Sequence, residues 1–104
     1  MCIVSAMILV HRKDGSKFYL EATGPSHQDC YDYLRNAYGV FAQVDDNYFV
    51  QEGFKTSDGI FVDRFKAYEI AEANNQLTAT NDWGELQSWM VCYPTQQYNY
   101  NQVD

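Results

Sequence analysis

Residues 53–76 read GFKTSDGIFVDRFKAYEIAEANNQ, and this stretch decides the fold. Ser57-Asp58-Gly59 is turn chemistry: an aspartate can bond its own backbone, and glycine tolerates positive φ. Residues 53–56 lead into the turn and residues 60–62 lead out of it. Both flanks favour strand through aromatic and β-branched side chains. Asp63 then stands at an N-cap position, where its carboxylate can accept backbone N–H bonds. Ala67, Ile70, Ala71 and Asn74 fall on one helical stripe, with Glu69 and Glu72 off it, and Asn75 suits a left-handed helix end. The stretch predicts a β-hairpin that runs directly into a helix.

Upstream, residues 2–10 form a near-continuous apolar run of strand length, the pattern of a central strand buried on both faces. Residues 11–16, HRKDGS, read as a polar turn with the Asp-Gly pair favoured in hairpins, and residues 17–22 as the returning strand. This hairpin gathers His11, Arg12, Lys13 and Lys17, a positive patch of the kind that blunts a sheet edge. Thr23-Gly24-Pro25 breaks the strand, and Ser26 can cap a helix with Asp29 in the capping-box position. Cys30, Leu34, Ala37, Tyr38 and Phe41 recur at helical spacing, with Gly39 as the helix stop. Residues 43–47 predict a loop. Tyr48-Phe49-Val50 begins a strand that continues past Gly53, which marks a bulge or a close approach.

After Gln76 the pattern fades. Residues 78–82 predict a loop, and residues 83–92 a short strand or a turn of helix. Residues 93–104, rich in Tyr, Asn and Gln, predict a C-terminal tail. The resulting expectation is an α+β fold, a compact ββαββα-type sandwich. Its antiparallel sheet carries two helices on one face, with residues 1–92 as a single domain and 93–104 as an extension.

Fourteen acidic residues against seven basic ones give a net charge of −7. Such a chain has few cations to displace counterions from phosphates, so direct nucleic-acid binding is not expected. A basic protein partner, or mimicry of nucleic acid, is compatible with that charge. Cys2, Cys30 and Cys92 form no CxxC pair and no zinc pattern, so neither a metal nor a cofactor is expected. The odd cysteine count favours reduced thiols. The opening apolar run is too short to cross a membrane, and basic residues follow it rather than precede it. A soluble cytoplasmic protein is the expectation.

Two places could carry chemistry. His27 and Cys30 are spaced i, i+3 at the start of the first predicted helix, where a helix N-terminus lowers a thiol's pKa and can seat an anion. They could form a nucleophile with its base, half of a metal site, or a phosphate-binding corner. A buried cysteine beside a satisfied histidine accounts for the same spacing. Arg64, in the first turn of the second predicted helix, opposes the macrodipole. An ion pair with Asp63, Asp58 or a glutamate would explain it, as would contact with an anion. No phosphate-binding glycine loop is present.

The middle of the chain resembles a family of small proteins encoded by tailed bacteriophages and prophages. The shared signature is GF-x-T-x-x-x-x-FVDR-x-x-A-x-x-IA, carried here by Gly53, Phe54, Thr56, Phe61, Val62, Asp63, Arg64, Ala67, Ile70 and Ala71. The family pattern ends in AGQ, where this chain has Asn74-Asn75-Gln76. An upstream H-x-x-C element is matched by His27 and Cys30. A later L-x-S-E-D-L element keeps Leu86 and Ser88 but has Trp89 and Met90 in place of the acids. The resemblance implies phage origin, action in the host cytoplasm, and by association a role in counter-defence.

Three functions follow as expectations. The first is a non-catalytic counter-defence protein that sequesters a small anionic nucleotide-derived immune signal. Its candidate ligand-binding residues are His27, Cys30, Thr56, Asp63 and Arg64, with tyrosines for base stacking. The second is an acidic inhibitor of a host nuclease or CRISPR-type effector. The third is a small enzyme using Cys30 and His27. A homo-oligomer is compatible with all three.

Overall fold

The computed structural model describes residues 1–17 and 19–94. The chain forms β1 (Ile3–Arg12), β2 (Tyr19–Gly24), α1 (His27–Tyr38), β3 (Tyr48–Thr56), β4 (Phe61–Asp63) and α2 (Arg64–Ala73), followed by one 3-10 turn at Ser88–Met90. The strands make a single antiparallel sheet in the order β2-β1-β3-β4. Helix α1 lies against β2 and β1, and α2 against β3 and β4. Ala6, Ile8 and Val10 alternate along β1 and pack with Phe54 of β3, Cys30 and Leu34 of α1, and Ala67 and Ala71 of α2 in one core. The expected α+β sandwich is the observed one.

The segment 53–76 folds as its residues dictate. β3 pairs with β4 across the turn, and Gly59 takes φ +82° there. Asp63 is the N-cap of α2, accepting from Lys66 N at 2.8 Å, and Asn75 adopts φ 55° at the helix end. Two details differ from expectation: Asn74, placed on the stripe, is the exposed C-cap of α2, with Tyr68 buried beside Ala67, Ile70 and Ala71 instead, and Thr56, rather than Asp58, holds the turn. Its Oγ1 accepts from the backbone N–H of Asp58 and of Ile60, each at 3.3 Å. Gly53 is a close approach and not a bulge. A side-chain carbon there would collide with the Val62 carbonyl oxygen and stand 2.6 Å from the Phe61 ring. The sheet irregularity lies instead between Ile3 and Ser5.

Other boundaries shift for physical reasons. β1 continues through His11 and Arg12, because β3 extends far enough to pair Phe49 with His11 and Tyr48 with Arg12. β2 runs to Gly24, opposite Ala6. Ser26 caps α1 as expected, and Gly39 ends it with φ 69°. The buried face of α1 is His27, Cys30, Tyr31 and Leu34. Ala37, Tyr38 and Phe41 are exposed, contrary to the predicted stripe. The left-handed turn at Gly39 reverses the chain, so that Val40 and Ala42 reach the core in their place.

Beyond α2 the chain wraps back across the fold without regular structure. Its attachment point is Gln76, only 6% exposed. Its side-chain amide donates to Ile3 O at 2.7 Å and accepts from Ile3 N at 2.8 Å, while its backbone carbonyl accepts from Cys92 N. Leu77 and Val91 form an isolated bridge. Tyr93, placed in the tail by composition, is 2% exposed and belongs to the core. The rest of the predicted tail, from residue 95 onward, lies outside the described residues. Among the described residues no helix is long and apolar enough to cross a membrane.

Candidate functional site

Beneath the N-termini of α1 and α2, six side chains, from α1, β3, α2 and residues 87–88, form one polar cluster. Val50, Phe54 and Thr56 set the core-facing phase of β3, and Glu52 falls in that phase. Its side chain, 37% exposed, reaches the edge of the core and has two partners there. Tyr31 donates its hydroxyl to Glu52 Oε2, and Arg64 Nη2 donates to Oε1 at 2.7 Å. Burial works against ionisation of Glu52, but the bonds from Tyr31 and Arg64 outweigh it and bring its pKa below the usual carboxylate value. The same bond, together with burial, raises the Tyr31 phenol.

Arg64 is the hub. Its Nη1 donates to the Leu86 carbonyl at 2.7 Å and to Gln87 Oε1 at 3.3 Å. Its backbone carbonyl accepts from Leu86 N at 3.0 Å. Side chain and backbone of one arginine therefore grip residues 86 and 87 together, a use of the planar guanidinium that a lysine cannot reproduce. The guanidinium that opposes the helix dipole is thus explained by a glutamate partner and two contacts to the returning chain.

His27 completes the cluster. Its Nε2 lies 2.8 Å from the Gly53 carbonyl, which can only accept, so Nε2 carries the proton. Nδ1 is then the acceptor, and Ser88 Oγ donates to it at 3.0 Å, with Arg64 Nη2 at 3.4 Å. Phe54 packs edge-on against the ring. Burial depresses the His27 pKa, and the Arg64 charge adds to that; the Gly53 bond and Glu52 oppose it only in part. The imidazole is held neutral in one tautomer.

The structure brings His27 and Arg64 together and assigns the other three predicted residues to different work. Cys30 is fully buried, and burial pushes its thiol up to about 12, the opposite of an activated nucleophile. Asp63 spends its carboxylate on the cap of α2. Thr56 is 1% exposed and holds the hairpin turn. Glu52, Tyr31 and Ser88 escaped the sequence reading. The signal for Glu52 was its phase on β3, shared with Val50 and Phe54. Ser88 was marked only as a retained position of the L-x-S-E-D-L element, with no role attached, and Tyr31 carried no signal. Among the described residues no group of three or more His, Cys, Asp or Glu could hold a metal ion.

What the cluster holds in place is a projecting aromatic face. Trp83 is 75% exposed and Trp89 72% exposed, the first before and the second after the residues that Arg64 and His27 grip. The loop under Trp83 is tied by Asn81. Its Oδ1 accepts from Gly84 N at 2.9 Å and Glu85 N at 3.3 Å, and its Nδ2 donates to Glu85 O at 2.8 Å. Trp83 and Trp89 line a hollow of about 390 Å³.

The family model of the phage T4 y16D protein matches residues 2–91. The chain belongs to that family, which is a phage protein family. No curated protein and no solved structure matches the chain.

Proposed function

We propose that this member of the phage T4 y16D protein family is a counter-defence protein that acts without catalysis, by binding a host defence protein through the face that carries Trp83 and Trp89. The observation that carries this reading is the exposure of both tryptophans, 75% and 72%, at the rim of one hollow. Aromatic anchors of this kind dominate the energetics of protein interfaces, and an ordered loop lowers the entropy lost on docking. The net charge of −7 suits a host partner with a basic surface, such as the nucleic-acid groove of a nuclease or a CRISPR-type effector. The site of action would be the host cytoplasm. The test is capture from host lysate by the wild-type chain and by Trp83→Ala/Trp89→Ala. A stoichiometric host protein retained by the first, released by raised salt, and absent from the second supports the reading. Equal capture by both removes it.

The 3.4 Å approach of Arg64 to His27 favours a second reading, sequestration of a small anionic nucleotide-derived immune signal at that corner. The anion would have to displace Glu52 from Arg64 and meet a neutral imidazole, so its electrostatic gain is small. Calorimetry with cyclic nucleotides and ADP-ribose derivatives decides it: absence of heat, unchanged by Arg64→Ala, excludes this corner as the ligand site. Catalysis through Cys30 and His27 is the weakest of the three, since a thiol raised to about 12 is protonated at neutral pH.

A further inference from the structure

We infer that the hollow between Trp83 and Trp89 receives a cationic side chain, an arginine or a lysine, of the host partner. This rests on the partner-binding reading above and names the chemistry of its central contact. The hollow is lined by Trp83, Trp89, Glu85, Gln87 and Asn81, with buried Met90 also in its wall. Its volume of about 390 Å³ accommodates a long side chain.

The polar groups of the lining choose the ligand's charge. Asn81 is consumed by its own loop: both side-chain ends are bonded to Gly84, Glu85 and Met90 Sδ. Gln87 is likewise engaged at both ends, donating to Glu85 Oε1 at 3.3 Å and accepting from Arg64. The polar capacity left in the lining beside Glu85, the second Gln87 amide N–H and the Thr80 hydroxyl, is neutral and selects no charge. Glu85 is the one ionisable residue in the lining, and a carboxylate accepts more bonds than the single one Gln87 supplies. The nearby cation, Arg64, is committed to Glu52 and Leu86. An anion entering the hollow would meet a carboxylate and no free positive charge. A cation would meet that carboxylate together with two indole rings, the best π donors among the side chains. The negative charge of the whole chain steers the same sign inward.

Both tryptophans of the chain sit on this face, so tryptophan fluorescence, excited selectively over the nine tyrosines, reports on it. The experiment titrates the full chain with a short peptide containing arginine, with the same peptide containing neutral citrulline, and with GMP. The expected result is a saturable change with the arginine peptide and binding about tenfold weaker with citrulline. Trp83→Ala and Trp89→Ala should each weaken the arginine response, the remaining indole providing the signal. Glu85→Gln should bring arginine and citrulline close together, with circular dichroism confirming an unchanged fold. Equal binding of arginine and citrulline, preference for GMP, or no saturable response to the arginine peptide overturns the inference. Host-protein capture that needs both tryptophans but ignores Glu85→Gln and excess arginine peptide would overturn the cation and leave the partner-binding reading standing.

Discussion

Residues 53–76 and residues 77–91 are neighbours in the chain and opposites in how they are specified. In the first, each conformation has a cause within a few residues: Thr56 and Gly59 make the turn, Asp63 caps the helix, and Asn75 turns left-handed after it. In the second, regular structure amounts to one 3-10 turn and one isolated bridge. Asn81 ties its loop from within, and the segment is attached to the rest of the fold from outside, by Gln76 gripping Ile3, Arg64 gripping Leu86 and His27 taking the Ser88 hydroxyl. A segment with little regular structure can still be fixed when its own side chains, here Asn81, and distant polar groups together satisfy its backbone. The comparison teaches that the scaffold and the candidate binding face are encoded by different kinds of residue.

The strongest way to break the local half is Gly53→Ala. The added carbon would strike the Val62 carbonyl and the Phe61 ring, forcing β4 away from β3 at a cost of about 3 kcal/mol. Chemical denaturation should show this as a lower midpoint at constant slope. Gln76→Ala attacks the junction of the two halves. It leaves the backbone N–H and C=O of Ile3 without their partner in a buried place and should cost about 2 kcal/mol, with faster amide exchange at Ile3 and Cys92.

These two sites also show what the sequence could and could not disclose. Gly53 was legible in part, because a glycine inside a strand pattern signals a bulge or a close approach, and the structure selects the second. The individual strands, both hairpins, both helices, both N-caps and the direct hairpin-to-helix passage were legible because each rests on residues close in sequence, whereas the pairing of β1 with β3 joins Ile3 to Thr56. Gln76 was not, since its partner is Ile3, 73 positions away, and a glutamine carries no sign of being buried. The candidate site was half legible. Arg64 stood out by opposing the dipole, and His27 by its place at a helix start. Their partners Glu52 and Ser88, and the outward placement of Trp83 and Trp89, depend on the folded chain bringing four elements together.

Asp63→Ala sharpens the comparison at smaller cost. It removes the cap of α2 and should lower stability by about 1 kcal/mol, measured by thermal or urea unfolding. Because the loss is local, residues 77–91 should keep their amide protection.

Acidification probes the other half. The folded pKa of His27 lies below its ordinary 6.5, so the unfolded chain binds the proton more readily. Stability should be fully present above about pH 6.5 and decline as pH falls below it, toward the lower folded value. Protonated Nδ1 would face the Arg64 guanidinium and could no longer accept from Ser88. The loss should therefore appear first in residues 86–90. Glu52 adds a second decline below its ordinary 4.5. His27→Gln should flatten the upper part of that profile, as read by urea midpoints across pH.

The most direct measurement is amide exchange on Arg64→Ala, because that guanidinium holds residues 86 and 87 of the tryptophan face onto the scaffold. The amides of Leu86 and Met90, and that of Thr78 bonded to Met90 O, should exchange at least about tenfold faster than in the wild type. Those within β1 and in the body of α2 should keep their protection. Unchanged protection at Leu86 and Met90, or an equal loss across β1 and α2, would contradict the role assigned to Arg64.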